Sequence, residues 1–391
     1  MAIGKDTLAV FLCLCLYLCG TFWLFPLSAA EPTRVFQRQI HQGPVLALSF
    51  NREGNVVCSG GSDRFVAFTL VRIDTEAEAR HLARRTEWLR LLDSDRYVER
   101  QRAYQSLLDE GPAALSVIRQ HLDNQLSPEA RARAESLAMR LDTPRKPTHQ
   151  REVRGLALQP DGRRLWSASL DGLLGLWGMP AGEFVDGIKA HNAGAWSVAC
   201  STDGRWLASG GADGEIRLQR LDVSTVSPLI LRGHEKQVQC LAISADQRWL
   251  ASAGGFDRSI RLWSLQRPET PPVVLQDSRD AVLRVAFDSR GRLFSVGYAG
   301  ELAMHEGRDW QTRRSLKSAI PIVRSLAVSA DGRRLAVGGT HHDVEIWDLL
   351  TLKMERTISG HRQYAYALGF SPDSKELAIG DAEGNIAIWR F

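Results

Sequence analysis

A block of about 42 residues recurs seven times along the chain, and this repetition constrains the fold more than any other feature. Each copy opens near a histidine, passes an Asp-Gly turn or a close variant, and usually ends on tryptophan. A period in the low forties with several short strands per unit is typical of a propeller or a solenoid. One such unit cannot bury its own apolar face, so the units must stack, and function is expected on the loops. The copies begin at His41, His149, His191, His234, Ser278, Ala319 and His361.

The third copy, residues 191–233, shows how one unit is built. Short strand-like runs lie at 195–200, 206–209, 215–221 and 228–231, and Asp-Gly turns separate the first three. In the third run apolar and polar residues alternate, which is typical of a half-buried strand. Four short antiparallel strands joined by tight turns make one propeller blade. We therefore expect an all-β fold of seven such blades.

The motifs of the copies resemble those of the WD-repeat family of β-propellers. The resemblance covers roughly residues 34–72 and 147–391. Together with the leader and the helical insert described below, it indicates similarity to an exported, bacterial type of WD-repeat protein. It implies a seven-bladed propeller that binds protein segments across the entrance of its central channel. The matching residues are Gly233-His234 and Gly360-His361, the turns Asp161-Gly162, Asp203-Gly204 and Asp331-Gly332, residues 260–263 (Ile-Arg-Leu-Trp), and Trp347-Asp348.

The resemblance also implies a hydrogen-bonded relay inside each blade, made of a histidine, a turn acid, a serine and a tryptophan. The histidine-to-acid separation is 22 residues in four copies and 23 in the fourth copy. A catalytic His–Asp–Ser site would use the same residue types, but recurrence in successive copies favours a structural network of buried polar groups. The expected relay residues are His149, Asp171 and Trp177; His191, Ser209 and Asp213, with Gln219 in place of tryptophan; and His234, Ser252, Asp257 and Trp263.

Two copies depart from this pattern. The fifth has Ser278, Ala299 and His305 where the relay would need histidine, acid and tryptophan, and the sixth has Ala319 and His341 in place of histidine and acid. We expect apolar packing alone to hold these two blades, which would make them the softest part of the ring.

The last copy stops at Phe391 after its third strand, while residues 34–40 precede the first copy and belong to no blade of their own. These residues resemble the strand before His361. We expect them to supply the missing strand of the seventh blade, because such a closure leaves no open seam. Residues 34–73 would thus hold the closing strand and three strands of blade one, and 147–391 the remaining blades.

Residues 74–146 interrupt the first blade with a different composition, rich in Ala, Leu, Glu and Arg. Ser127-Pro128 is a helix start signal, and Ala130, Ala134 and Leu137 fall on one helical stripe after it. We expect four helices that resemble a HEAT-type pair of hairpins, inserted between the third and fourth strands. The segment carries 13 basic and 13 acidic residues, and this balance argues against nucleic-acid binding.

The N-terminus predicts export. Residues 8–25 are apolar, Lys5 precedes them, and the small residues Ser28 and Ala30 fit a signal-peptidase site. The stretch is also long enough to span a bilayer, so residues 1–30 are either a cleaved signal peptide or an uncleaved membrane anchor. We expect a periplasmic or other extracytoplasmic location, with a cytoplasmic one as the remaining alternative. The net charge of +4 says little about partners.

Residues five positions after each repeat start should lie near the channel entrance: Leu46, Arg154, Trp196, Gln239, Leu283, Arg324 and Tyr366. Trp, Tyr and Arg dominate the energetics of many interfaces. We expect Arg154, Trp196, Gln239, Arg324, Tyr366 and the nearby Tyr364 to contact a partner, with Arg362 and the loop at 341–342 close by. The alternative is that Trp196 and Tyr366 pack the channel wall.

These observations favour a non-enzymatic, monomeric protein-interaction scaffold with a protein or peptide partner. The alternative is a propeller enzyme or a small-ligand sensor of the cell envelope, and an accessory subunit of an envelope redox complex is a third interpretation. No cofactor is predicted. No metal site is predicted either, because His341-His342-Asp343 lacks a third converging ligand.

Overall fold

The computed structural model describes residues 31–71, 75–110, 112–122, 126–142, 149–179, 182–223, 227–276, 279–307, 310, 312–359 and 364–391. The predicted leader, residues 1–30, lies outside this range. Residues Thr33–Arg390 form one compact unit. Within the described residues, no helix is long and apolar enough to cross a membrane.

The unit is built mainly from short strands. The alternation of apolar and polar residues and the turn residues between the runs favour strands of three to seven residues. In chain order the strands are β1 Thr33–Gln39, β2 Val45–Phe50, β3 Val56–Gly61, β4 Val66–Leu70, β5 Val153–Leu158, β6 Arg164–Ser169, β7 Leu173–Gly178, β8 Glu183–Lys189, β9 Ala195–Cys200, β10 Trp206–Gly211, β11 Ile216–Arg220, β12 Leu229–Leu231, β13 Cys240–Ile243, β14 Trp249–Ala253, β15 Ile260–Ser264, β16 Val273–Leu275, β17 Val282–Phe287, β18 Leu293–Gly297, β19 Glu301–Glu306, β20 Thr312–Lys317, β21 Val323–Val328, β22 Arg334–Gly339, β23 Val344–Asp348, β24 Lys353–Ile358, β25 Ala365–Phe370, β26 Glu376–Asp381 and β27 Asn385–Arg390.

The strands form seven antiparallel sheets, so the fold is a seven-bladed β-propeller. Blades two to six are simple four-stranded meanders, such as β9-β10-β11-β12. The first strand of each blade lies against the first strands of the two neighbouring blades, and β2 contacts both β5 and β25. These seven inner strands therefore close a ring. Their N-terminal ends and the loops that lead into them form one face, which we call the histidine-loop face.

The ring is closed by the N-terminal strand. Residues 33–39, where the sequence indicates a closing strand at 34–40, form β1, which pairs antiparallel with β27 from Thr33–Arg390 to Gln39–Asn385. The seventh blade thus has the order β1-β27-β26-β25. Phe36 of β1 packs against the core between blades seven and one. Sequence-distant ends of the chain therefore share one sheet.

Blade one contains three strands in the described part of the chain, β2-β3-β4. The sequence predicts a fourth strand after the insert, but residues 143–148 lie outside the described residues. The apolar cores lie between neighbouring blades. One of them combines Ala251 and Leu262 of blade four with Val285 and Leu293 of blade five. Stacked blades thus bury the faces that a single unit would leave exposed.

The insert contains four described helices, α1 Thr75–Leu91, α2 Tyr97–Asp109, α3 Pro112–His121 and α4 Pro128–Asp142. Their apolar faces share one core that includes Leu92, Leu107, Ile118 and Leu137. Ser127 caps α4, because its Oγ accepts a hydrogen bond from the N–H of Ala130 at 3.2 Å.

Two details of the insert concern its charged and apolar side chains. Arg85 is buried and donates from Nε and an Nη atom to Glu110 at 3.0 and 2.9 Å. This buried pair and the exposed pair Arg96–Glu99 agree with an ion-paired helical segment. In α2, Ala103 and Leu107 take the buried positions, whereas Val98 in the first turn is exposed.

Candidate functional site

The relay has all four members in blade four. The turn between β14 and β15 brings Asp257 to the histidine-loop face, where it contacts His234 Nδ1 at 2.6 Å. His234 Nε2 lies 2.7 Å from Ser252 Oγ, and Trp263 Nε1 donates to the same Oγ at 2.9 Å. The donors and acceptors fit one arrangement, in which Trp263 donates to Ser252, Ser252 to His234, and Nδ1–H of His234 to Asp257.

The same relay recurs in the preceding blades. In blade two, His149 lies 3.2 Å from Asp171 and 2.8 Å from Ser167, and Trp177 completes it. In blade three, His191 lies 3.1 Å from Asp213 and 2.9 Å from Ser209. Gln219, which replaces the tryptophan, makes no hydrogen bond to Ser209. In blade one they are His41, Asp63 and Ser59. Each relay ties the loop before an inner strand to the turn after the second strand.

Glycine before the turn acid lets the relay close. A Cβ added at Gly211 would collide with Asp213 and with the ring of His191, and a Cβ at Gly254 would collide with Asp257 and His234. The side chains of the relay therefore occupy the space that any larger residue would need.

The turn carboxyls are held in their charged form. Burial alone would raise the pKa of Asp171 and Asp257, but hydrogen bonds from His149 and His234 and from backbone N–H groups outweigh it and lower each pKa to about 2. The pKa of Asp63 is lowered for the same reasons. Burial lowers the pKa of His191, against the opposing charge of Asp213.

This arrangement leaves the relay serines without access to a substrate. Ser209 and Ser252 are at most 1% exposed, and their hydroxyls are already engaged by the histidines. A nucleophile must reach its substrate, and several identical sets in one ring would each need a separate cleft. The relays therefore stabilise the blades.

Blades five and six correct one expectation. They are not held by apolar packing alone, because each has a buried polar pair of its own. In blade five, Ser295 Oγ lies 3.2 Å from Nε2 of the buried His305, while Ser278 lies outside the described residues. In blade six, the buried Glu345 accepts hydrogen bonds from the N–H of Ala319 at 2.7 Å and from Nε1 of Trp347 at 2.9 Å. A carboxylate on the third strand thus replaces both the histidine and the turn acid.

Blade seven can be compared with the predicted relay only in part. The carboxylate of Asp381, at the end of β26, accepts hydrogen bonds from the N–H groups of Glu383 and Asn385, both at 2.9 Å. The repeat spacing of 22 residues predicts Glu383 as the turn acid that pairs with His361. His361 and Arg362 lie outside the described residues.

The residues predicted at the channel entrance share one backbone feature. In six blades the residue five positions after the repeat start is the unpaired residue of a β-bulge at the N-terminal end of the inner strand. A bulge breaks the pairing of the strand and redirects the side chain at that position. The six residues are Leu46, Arg154, Trp196, Leu283, Arg324 and Tyr366. We call this set, at the histidine-loop face, the rim.

Two arginine–aromatic pairs lie on the rim. The guanidinium of Arg154 in blade two lies 4.7 Å from the ring centre of Trp196 in blade three, and that of Arg324 in blade six lies 5.3 Å from Tyr366 in blade seven. Each pair joins neighbouring blades, and all four side chains are half-buried. A cation held over an aromatic face is a favourable contact that keeps both groups in place. Tyr364 is exposed beside this set and stacks on His342.

Gln239 is buried, unlike the other residues that the sequence predicts to contact a partner. The separation of 23 residues between His234 and Asp257 adds one residue to the turn of blade four, and a Cβ at Gly255 would lie only 2.7 Å from Cγ of Gln239. The turn thus covers this side chain. Leu46 and Leu283 are also buried.

Sequence reasoning missed Arg284, which follows Leu283 on β17. The six other copies carry a small residue here: Ala47, Gly155, Ser197, Cys240, Ser325 and Ala367. Space is short at this position, since a Cβ at Gly155 would lie 3.1 Å from the backbone of Ser197 in the next blade. An arginine among small residues was the signal that could have identified it.

The described residues contain no cluster of three or more His, Cys, Asp or Glu side chains that could hold a metal ion. His341 is half exposed and lies 3.4 Å from Asp343.

Comparison with known proteins agrees with this geometry. The family model described as "WD domain, G-beta repeat" matches five stretches of the chain, at residues 31–68, 182–218, 226–264, 311–348 and 352–390. These stretches begin near an outer strand and end with the third strand of the following blade, so they combine parts of two blades.

Several curated proteins are similar at low identity. The chain is 22% identical to cilia- and flagella-associated protein 52 of Mus musculus over 61% of this chain and 38% of that protein. It is 23% identical to serine-threonine kinase receptor-associated protein of Gallus gallus, over 62% and 67%. It is 24% identical to guanine nucleotide-binding protein subunit beta-1 of Nicotiana tabacum, over 62% and 81%. The match thus spans well under half of the first of these relatives. The repeat motifs, the matching stretches and the closed ring of seven blades agree: the chain is a seven-bladed β-propeller that contains WD repeats.

Proposed function

We propose that the protein is a non-enzymatic interaction scaffold that binds a partner protein or peptide on its histidine-loop face. WD-repeat propeller proteins generally act as protein-interaction scaffolds, and the names of two relatives describe a receptor-associated protein and a subunit of a nucleotide-binding protein. The observation that carries the proposal for this chain is the rim. Six bulges place one side chain from each of six inner strands at the same end of the channel.

The composition of the rim suits a protein partner. Trp196 and Tyr366 are half-buried, so their rings are fixed by arginine neighbours while part of each surface stays accessible. Aromatic and arginine side chains held in this way lose little conformational entropy when a partner covers them. Tyr364 adds an exposed ring at the edge.

The remaining features of the proposal concern location and assembly. We propose that residues 1–30 direct export, as a signal peptide or as an anchor, and that the propeller is monomeric. The helical insert, with its HEAT-like hairpins, would offer a second surface. N-terminal sequencing of the protein purified from its own cells would distinguish a cleaved leader from a retained one.

A pull-down with purified wild-type protein and the double variant Trp196→Ala/Tyr366→Ala tests the rim. Trp206→Ala is the matched control, because Trp206 also stacks under an arginine, Arg220 at 5.1 Å, but lies at the opposite end of the propeller. We expect the double variant to lose its partners and the control to keep them. Identical partners on wild type and double variant would refute a binding role for the rim.

A further inference from the structure

We infer that the entrance of the channel is an anion-binding site that takes the carboxylates of an acidic segment of the partner. The site consists of Arg154, Arg284 and Arg324, which we call the rim arginines. This inference rests on the proposed function, because it names the chemistry of the segment that the rim would bind.

The first argument is the unusual position of Arg284 on the half-buried inner strand. Its side chain starts at a position that is small in the six other copies, on the inner strand of blade five. One of its Nη atoms donates a hydrogen bond to the carbonyl of Leu283, at 2.9 Å. In the part of the chain that the structure describes, no carboxylate pairs with it. A guanidinium has five N–H donors, so most of them remain available to a ligand.

The second argument is the neighbourhood of this charge. Burial lowers the pKa of Arg284, and the positive charges of Arg154 and Arg324 lower it further. Arg324 lies on the adjacent inner strand, and its Nε is buried without a hydrogen-bond partner among the described residues. Arg154 has an acidic partner, Glu152 at 2.5 Å, but that pair is partly exposed. Three arginines close together with only one described acidic partner repel one another. This repulsion lowers the free energy of unfolding unless a ligand neutralises their charge.

The third argument is the spacing of the arginines around the ring. Arg284 and Arg324 come from the adjacent blades five and six, whereas Arg154 comes from blade two on the other side of the entrance. An extended segment with several carboxylates can reach across the entrance, with Trp196 and Tyr366 beside it. Arginine binds carboxylates through paired N–H groups, which gives such a contact both strength and direction.

Fluorescence anisotropy with a fluorescein-labelled peptide that contains six consecutive glutamates tests the inference, with the six-glutamine peptide as reference. We expect the full-length protein to bind the glutamate peptide at least about tenfold more tightly. Arg284→Gln and Arg324→Gln should each weaken this binding by about tenfold or more. The matched control is Arg248→Gln, because Arg248 is exposed on the opposite face and already paired with Asp246.

Thermal denaturation shows that loss of binding is not loss of fold. Arg284→Gln removes a charge that no described carboxylate neutralises. The Tm of this variant should therefore equal that of the wild type or lie up to about 2 °C above it. Equal affinity for the two peptides, or equal weakening by Arg248→Gln, would overturn the inference. The pull-down separates the two proposals. If Trp196→Ala/Tyr366→Ala loses the captured partners but Arg284→Gln and Arg324→Gln keep them, the anion-binding inference is wrong and the proposed scaffold function is supported. Arginine-dependent binding of the peptide without any captured partner would support the anion site and count against the scaffold.

Discussion

Removal of one hydroxyl group, in the variant Ser252→Ala, tests the relay most directly. Ser252 is fully buried and serves two neighbours, since it accepts from Trp263 Nε1 and lies within hydrogen-bond distance of His234 Nε2. The variant would leave a buried donor and a buried acceptor unpaired. Each such group costs about 1–3 kcal/mol, so we expect a loss of about 3 kcal/mol in the free energy of unfolding.

Blade three supplies the comparison that makes this number meaningful. Ser209 is equally buried and contacts Nε2 of His191, but Gln219 replaces the tryptophan and makes no hydrogen bond to it. Ser209→Ala therefore leaves one group unpaired, and the expected loss is about half as large, near 1.5 kcal/mol. Ser264→Ala is the control, since its hydroxyl accepts only one hydrogen bond at an exposed turn, and it should cost less than about 0.5 kcal/mol.

Urea denaturation followed by circular dichroism measures these differences from the transition midpoints at a common slope. A double-variant cycle isolates the contact with tryptophan. In a Trp263→Phe background the indole donor is absent, so Ser252→Ala should cost about 1.5 kcal/mol less than in the wild type. The reasoning is refuted if Ser252→Ala costs no more free energy of unfolding than Ser209→Ala. The hydrogen bond between Trp263 and Ser252 would then add nothing to stability.

Three further predictions concern other parts of the propeller. The carboxyls of Asp171 and Asp257 have pKa values of about 2, below the usual value near 4. The stability that they contribute is therefore complete above about pH 4 and is lost as the pH falls towards 2. In Asp257→Asn the midpoint of urea denaturation should change less between pH 4 and pH 2 than in the wild type. Phe36→Ala should lower stability by about 1–2 kcal/mol because the ring of the closing strand packs in a core, whereas Val35→Ala, on an exposed side chain, should change it by less than about 0.5 kcal/mol in thermal melts. Glu345→Gln should cost about 1–3 kcal/mol in urea denaturation, because an amide can accept with only one of its two terminal atoms.

The controls and contradicting results for these predictions are simple. An unchanged pH profile in Asp257→Asn would show that the charge of this carboxyl contributes nothing to stability. Equal melting temperatures for the Phe36 and Val35 variants would argue that the closing strand holds by backbone pairing alone. For Glu345, the partly exposed Glu355 is the matched site, and Glu355→Gln should cost clearly less.

Much of the fold follows from local sequence signals. The strands of the third blade begin and end within two residues of their predicted bounds, because turn residues and alternation define them locally. The closing strand was predictable for a different reason: the last copy lacked a strand, and a closed ring needs one. The start of α4 followed from a cap signal at Ser127.

The misses have a common physical cause, which is that equivalent contacts can come from different positions. Glu345 reaches the same polar site from the third strand that a histidine and a turn acid reach in other blades, and no spacing rule predicts such a replacement. Gln239 was placed correctly along the strand, but one added turn residue covers it, and only three-dimensional packing shows that.

The deviations from the repeat divide into two kinds, and this division points to function. Glu345 takes the place of a missing histidine and turn acid and leaves its neighbours satisfied, so it is a repair that keeps its blade stable. Arg284 does the opposite: it puts a charge that pairs with no described carboxylate where every other copy has a small residue, beside two more cations. A residue that lowers stability and breaks a local rule is retained most readily when a ligand uses it. If Arg284→Gln instead melts well below the wild type, the guanidinium has a structural partner and this distinction fails.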